Sequence, residues 1–346
     1  MATLTERRQR KRRVTLLDLA EDLGLSTSTV SRAFDKDAVI APATRDAILK
    51  RAAELGYAPN PMARSLITKS TGIVGIFVTD ITNPFYPEVL TKLTAGLQSI
   101  DLKVMLTVAD SSEDADDQLR LLLSYQPDVV VVLAAVLSSE AIEACRNAGT
   151  PVVFFNRRPA DARALGVTCD NVGGGILVAD HLIGLGHRKL AFVAGRADTS
   201  TNIDRWEGFS SRCVERGIPA PRRFDAGYFS YDGGYQAAHV LMNDPQPPDA
   251  IFCANDILAI GLMDCLRREY DIAIPGDISV VGFDGISMAS WPSHALTTVR
   301  QPVEKMCAFT IDLVKKLCQG KALKPRIERI PGELIERETT TRGVNA

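Results

Sequence analysis

The sequence predicts two unlike parts: an all-α helix-turn-helix head and an α/β body of two Rossmann-like lobes. Three observations carry this. Charge is split, with 13 Lys and Arg against 8 Asp and Glu in residues 1–70, and 27 against 34 in residues 71–346. Before residue 60, apolar residues recur at helical spacing. After Gly72, continuous apolar runs of strand length alternate with helix-periodic stretches. A basic head on an acidic body points to a polyanionic partner for the head alone.

Composition narrows the class. Hydrophobic residues make up 46% and charged residues 24% of 346 residues, enough for a sizeable core in an ordinary globular protein. The longest apolar run, residues 129–137, is far short of the ~20 residues a bilayer span needs. The basic N-terminus has no apolar stretch behind it, so no secretory signal is read there. The seven cysteines are scattered, with no Cys-x-x-Cys pair, as expected of reduced, buried thiols in a cytoplasmic protein.

In chain order, Arg7 to Arg13 holds six basic residues in seven and reads as a solvated tail that attracts phosphate. Leu16, Leu17, Ala20 and Leu23 then form a helical stripe, with Asp18 near the helix start, where its charge suits the dipole. Gly24 ends that helix and Leu25 is expected in the core. Ser26 caps a second helix over residues 27–34, with Val30 and Ala33 or Phe34 inward. Thr27, Ser28, Ser31 and Arg32 are left outward. They form a nearly acid-free face that can bond base edges and phosphates. A third helix is expected over residues 44–56, capped by Thr44, with Ala47, Ile48, Ala52 and Leu55 as its stripe.

Val14-Thr-Leu-Leu-Asp-Leu-Ala, Gly24-Leu-Ser, Thr29-Val-Ser-Arg-Ala-Phe and Leu55-Gly-Tyr-Ala-Pro-Asn-Pro-Met-Ala-Arg-Ser-Leu66 resemble the headpiece of the lactose/galactose repressor (LacI) family. The likeness continues through the body to Glu338. It implies a second helix in the major groove, with Thr27 and Ser28 at base-reading positions. The implied DNA contacts are Thr15, Thr27, Ser28, Ser31 and Arg32 from the head, and Asn60, Ala63, Arg64 and Leu66 from the linker. A dimer would read two half-sites of a near-palindromic operator.

Residues 60–69 join the two parts. Pro59 and Pro61 break the preceding helix, and Pro61 suits a new first turn. A helix from Pro61 to Ile67 is under two turns and should be unfolded alone in water. The resemblance implies that two such hinge helices pair in the minor groove, with Leu66 as a wedge between base steps and Ala63 at their close contact.

In the body, strands are predicted over residues 72–79, 102–108, 128–134, 151–155, 189–194, 250–253 and 277–283, with helices over 87–100, 114–125 and 139–148 between the earlier ones. Polar residues collect at the strand ends, where ligands bind in such sheets. Thr79-Asp-Ile-Thr-Asn-Pro-Phe-Tyr, Asn156-Arg-Arg, Ala254-Asn-Asp and Phe283-Asp are the main clusters. Arg205 is expected to open a helix, Phe229 to lie in a turn, and Asp256 to cap a helix. Carboxylates, amides and an aromatic face suit a small polyhydroxylated ligand. The resemblance implies a periplasmic-binding-protein-like body with Asp80, Phe85, Asn156, Arg205, Phe229, Asn255 and Asp284 as effector contacts. Arg157 and Arg158 are weaker additions that would favour a carboxylate or phosphate on the ligand.

The expected domains are a basic disordered tail (1–13), a DNA-binding domain (14–59), a hinge (60–71) and an effector-binding and dimerisation domain (72–340). The first lobe takes residues 72–168 and 300–320, and the second 169–299 and 321–340. The resemblance implies a C-terminal apolar heptad helix in tetrameric members; this chain ends without such heptads, so a homodimer is expected rather than a tetramer. Enzyme readings are weak. Gly173-Gly-Gly is neither G-x-G-x-x-G nor a P-loop and reads as close helix packing. No serine elbow, metal-ligand spacing or Cys–His pairing stands out, so no catalytic residue, metal or cofactor is expected. The expected function is a repressor controlled by a sugar or sugar acid. The alternative is a two-lobe sugar-binding protein without a DNA role.

Overall fold

The computed structural model describes residues 14–35, 38–59, 70–109, 112–134, 137–159 and 163–343. The chain divides into two compact units, 1–71 and 72–346.

In the first unit, helix α1 (Leu16–Leu23) starts with a capping box. Thr15 accepts from the Asp18 amide at 3.2 Å, and the Asp18 carboxylate accepts from the Thr15 amide at 2.8 Å. Gly24, at φ 63°, closes the helix in the left-handed region. Ser26 caps α2 (Thr27–Ala33), accepting from the Thr29 amide at 3.1 Å. Leu19, Ala20, Val30, Ala33, Ile48 and Ala52 form the core. Leu17 and Leu25 are exposed, contrary to the sequence expectation, and Leu19 takes the inward place. Leu16, Ala20 and Leu23 of the expected stripe pack in or against the core, and only Leu17 gives up its place, to Leu19.

Helix α3 (Pro42–Leu55) begins two residues before the expected start. Pro42 supplies the first turn, so Thr44 is not a cap, and Ala47 faces solvent. Arg45 ties α3 to the end of α2 by bonding the carbonyls of Ala33, Asp35 and Ala38. Arg51 meets Asp22 of α1 through two bonds of 2.6 and 2.8 Å.

The second unit has two six-stranded sheets among the described residues. The first contains β1 (Ile73–Val78), β2 (Lys103–Val108), β3 (Val129–Leu133), β4 (Val152–Phe155), β5 (Leu165–Cys169) and β11 (Arg326–Ile330). Its order is β11-β5-β4-β3-β1-β2, and every pairing is parallel. The second contains β6 (Leu190–Ala194), β7 (Arg222–Asp225), β8 (Ala250–Cys253), β9 (Ser279–Asp284), β10 (Thr297–Arg300) and β12 (Glu333–Ile335). Its order is β12-β10-β9-β8-β6-β7, with β12 alone antiparallel. The helices are α4 (Phe85–Gln98), α5 (Ser112–Ser124), α6 (Ser139–Asn147), α7 (Asn171–Gly184), α8 (Ser200–Glu215), α9 (Tyr231–Met242), α10 (Asp256–Glu269) and α11 (Val303–Cys318). The central strands β1, β3, β6, β8 and β9 are almost wholly buried, as strands covered on both faces must be.

Each sheet reverses its order beside its first strand, at β1/β3 and at β6/β8. That is where a doubly wound sheet opens a crevice. The chain crosses between lobes at 169–171, 300–303 and 330–333. The third crossing was expected near 320. It falls later because residues 326–330 add β11 to the first sheet beside β5.

Two helix pairs in the second lobe pack backbone to backbone. Gly174 and Gly175 of α7 lie against the Phe283 ring and the Arg205 carbonyl, where any Cβ would collide. The Gly173-Gly-Gly run is thus a packing feature. In α9 and α10, a Cβ on Gly234 would lie 2.0 Å from the Leu258 carbonyl oxygen. A backbone atom cannot swing aside, so Gly234→Ala should destabilise the chain by about 1–3 kcal/mol. Urea unfolding checks this, and an unchanged midpoint would contradict the close approach.

A polar cleft between the lobes

The α2 face contains Thr27, Ser28, Ser31 and Arg32, all exposed. Ser28 Oγ lies 2.9 Å from Ser26 Oγ, and Arg32 Nε donates to the Ser28 carbonyl at 3.3 Å. Thr15 uses its hydroxyl in the α1 cap, so its structural role is already filled. Asn60, Ala63, Arg64 and Leu66 lie outside the described residues.

In the body, Asn83, Tyr86, Asn156, Arg157, Thr201, Arg205, Phe229, Asn255 and Asp284 surround a small cleft with about 200 Å³ of open space. Asn83, Tyr86, Asn156 and Arg157 come from the first lobe, the others from the second. Six of the nine expected effector residues meet here. Phe85 does not: it is buried in the core, and the next residue, Tyr86, points to the cleft instead. Successive residues at a helix start face about 100° apart, so a motif match can be off by one side chain. Asp80 does not line the cleft but sits 3.8 Å from Arg157, behind it. Arg158 turns away to Asp204 of α8 at 2.7 Å, an ion pair from one lobe to the other. Thr201 and Asn83 line the cleft and Gln301 supports it. Asn83 belongs to the polar cluster read after the first strand, whereas Thr201 and Gln301 did not stand out in the sequence.

Arg205 lies in the middle of α8 rather than at its start, and it is buried. Its Nε donates to Asn171 Oδ1 at 2.9 Å, one Nη to the Ala254 carbonyl at 2.6 Å, and the other to Asp284 Oδ1 at 3.2 Å. The guanidinium carbon stands 3.7 Å from the centre of the Phe283 ring. Asp284 Oδ1 also accepts from Gln301 Nε2 at 2.7 Å. Burial pushes the Asp284 carboxyl up, against the opposing pull of Arg205. Burial likewise raises Asp80, with Arg157 opposing.

These contacts form a chain that reaches two lobe crossings. Asn156 Nδ2 donates to the Tyr86 hydroxyl at 3.1 Å, and its carbonyl accepts from Thr168 Oγ1 at 2.7 Å. Asn171 Nδ2 donates to Thr168 Oγ1 at 3.1 Å, and Asn171 Oδ1 receives Arg205. Thr168 and Asn171 flank the first crossing, and Gln301 lies in the second. Asn156 at φ 69° and Asp284 at φ 120° hold left-handed backbone conformations that non-glycine residues rarely adopt. Asn156 Oδ1, Arg157 Nε and Asn255 Nδ2 are buried without an internal partner. The Phe229 ring covers Gly195 and faces Arg157, whose guanidinium carbon is 5.4 Å from the ring centre.

Asn255, not Asp256, caps α10, accepting from the Leu258 amide at 3.2 Å. That leaves Nδ2 for the cleft. Asp256 is fully buried. One carboxyl oxygen lies 2.5 Å from Thr298 Oγ1, and the other accepts from the Ile286 amide at 2.9 Å. Burial, followed by the nearby Asp284 charge, pushes its carboxyl up to about 8. A raised folded value means the folded chain holds a proton that the unfolded chain releases. The Asp256 contribution is therefore whole below about pH 4 and is lost as pH rises towards 8. Asp256→Asn keeps the shape and both bonds, with the amide donating to Thr298. Its stability should fall less between pH 5 and 8 than that of the parent chain in urea melts. Parallel curves would show that Asp256 is ionised in the fold.

Among the described residues, no helix is long and apolar enough to cross a membrane. A model of bacterial regulatory proteins of the lacI family matches residues 15–60, and one of periplasmic binding protein-like domains matches residues 179–340. The HTH-type transcriptional repressor PurR of Vibrio atlanticus (strain LGP32) is 32% identical over 332 residues, spanning 94% of this chain and 98% of that one. The ribose operon repressor of Escherichia coli (strain K12) is 29% identical, over 92% of this chain and 97% of its own length. The structure of the Lac repressor bound to ONPG in its repressed state superposes with a TM-score of 0.84 at 25% identity, covering 95% of this chain and 100% of that one. With both parts matched and near-full-length relatives at this identity, the chain belongs to the LacI family of bacterial regulatory proteins.

Proposed function

We propose that this LacI-family chain is a cytoplasmic, homodimeric transcriptional repressor rather than an enzyme. A small polyhydroxylated metabolite, a sugar or sugar acid, binds its cleft and sets its affinity for a near-palindromic operator. The observation that carries the ligand class is the set of unpaired buried atoms at the cleft. Asn156 Oδ1 can accept, while Arg157 Nε and Asn255 Nδ2 can donate. With Asp284 opposite and the Phe229 ring as an apolar wall, the lining offers both halves of the bonding that vicinal hydroxyls need. One of the relatives is named a ribose operon repressor, which falls in this ligand class.

The mechanism follows from where the cleft groups are tied. A ligand that pulls on Asn156 or Asp284 acts on residues bonded to Thr168 and Gln301, at two lobe crossings. Closure about those crossings would change the spacing of the two hinge segments in a dimer. Operator affinity can change only by the ratio of the ligand's affinities for the two lobe arrangements. In the head, the exposed Thr27, Ser28, Ser31 and Arg32 face supplies major-groove contacts, and Leu66 the minor-groove wedge.

Fluorescence anisotropy of a promoter fragment, titrated with the chain and a panel of sugars and sugar acids, tests the whole reading. By linkage, an active ligand must lose affinity for the operator-bound protein by the same factor that the operator loses. No operator binding, or no response to any member of the panel, would count against the proposal. Phe229→Ala and Asp284→Asn should lose the ligand response while still binding operator. Normal responses in both would remove the cleft assignment. Leu66→Ala should weaken operator binding with ligand affinity nearly unchanged; equal operator affinity would remove the wedge.

A further inference from the structure

Outside the cleft, α9 and α10 bring three side chains with metal-ligand atoms together. His239 comes from α9, and Cys265 and Glu269 come from α10, four residues apart and so on one face. The imidazole Nε2 lies 3.7 Å from Cys265 Sγ and 3.5 Å from Glu269 Oε2. All three ligand atoms lie within 4.8 Å of one another. With metal–sulfur near 2.3 Å and metal–nitrogen or –oxygen near 2.0–2.1 Å, neighbouring tetrahedral ligands stand roughly 3.3–3.6 Å apart. The two measured separations need only a few tenths of an ångström of contraction.

The surroundings are those of a ligand set held in place. The other ring nitrogen, His239 Nδ1, lies 2.8 Å from the Tyr270 hydroxyl, which fixes the ring's orientation. Glu269 Oε1 accepts from the Tyr235 hydroxyl at 2.5 Å, leaving Oε2 towards the imidazole. Cys265 is fully buried, while His239 and Glu269 are partly exposed. The thiol thus forms the floor and solvent reaches the other side. The backbones of α9 and α10 approach closely at Gly234 and Gly261, so the two helices that carry the ligands are tightly packed.

We propose that His239, Cys265 and Glu269 form a tetrahedral site for a borderline-soft divalent ion, Zn²⁺ or Co²⁺, with a solvent molecule as the fourth ligand. Imidazole, thiolate and one carboxylate oxygen are a donor set suited to such an ion. On binding, the thiol proton leaves to solvent and the sulfur bonds the metal as thiolate. The site lies about 14 Å along α10 from the cleft end of that helix and shares no residue with the cleft lining.

Titrating the tag-free full chain with Co²⁺ tests this, read by the near-ultraviolet thiolate-to-cobalt absorption. One equivalent should bind with that band. Cys265→Ser should abolish it. His239→Gln should weaken binding at least about tenfold, and Tyr270→Phe by about 10–100-fold, as for loss of a ligand's orienting partner. His239 is half-buried, so its variant keeps the test alive if Cys265→Ser does not fold. Absence of the band with excess Co²⁺, its persistence in Cys265→Ser, or unchanged affinity in His239→Gln would overturn the site.

Discussion

The cleft depends on one buried guanidinium. Arg205 is removed from water at the centre of α8, where an unpaired charge would be strongly destabilising. Each of its three nitrogens has a partner: the Asn171 amide oxygen, the Ala254 carbonyl and the Asp284 carboxylate. Those partners belong to three separate stretches of chain. Fixing Arg205 therefore fixes the start of α7, the end of β8 and the end of β9 at once. The glycines of α7 make this possible, because the Arg205 carbonyl occupies the space that a Cβ on Gly175 would need.

In the proposed reading, the same arrangement would let the cleft both bind and signal. Asp284 is held from one side by Arg205 and from the other by Gln301, which lies in a crossing between lobes. Asn156 is held through Thr168, beside another crossing. The third crossing joins the first where the Asp170 amide donates to the Ile330 carbonyl at 2.8 Å. A ligand in the cleft therefore meets groups already bonded to the segments about which the lobes would turn. The left-handed backbone at Asn156 and Asp284 is the conformational cost of aiming both side chains inward from strand ends.

Much of this was legible in the sequence, for physical reasons. Central strands are buried on both faces, so runs such as Val129–Leu133 stand out as unbroken apolar segments. Edge strands do not: Arg222–Asp225 and Arg326–Ile330 are rich in charge because they are only partly covered. Missing β11 is what displaced the third crossing. Motif matching named Asn156, Arg205, Phe229, Asn255 and Asp284, all of which line the cleft, and Phe85, where it is the neighbouring Tyr86 that lines it. It could not see Gln301, whose role comes from a contact 17 residues distant in sequence. In the head, Leu16 and Leu17 offer two adjacent candidates for one inward face, and only packing chooses Leu19 as their neighbour in the core. His239 and Cys265 are 26 positions apart on different helices, so no spacing rule joins them.

The central claim is that the Arg205–Asp284 pair works as a unit that organises the cleft. A double-mutant cycle with Arg205→Gln and Asp284→Asn, measured by urea unfolding on the full chain, tests it most directly. The account predicts that the two losses are strongly non-additive, with a coupling of about 1–3 kcal/mol. Additivity within about 0.5 kcal/mol would mean that the two groups act independently, and would contradict it.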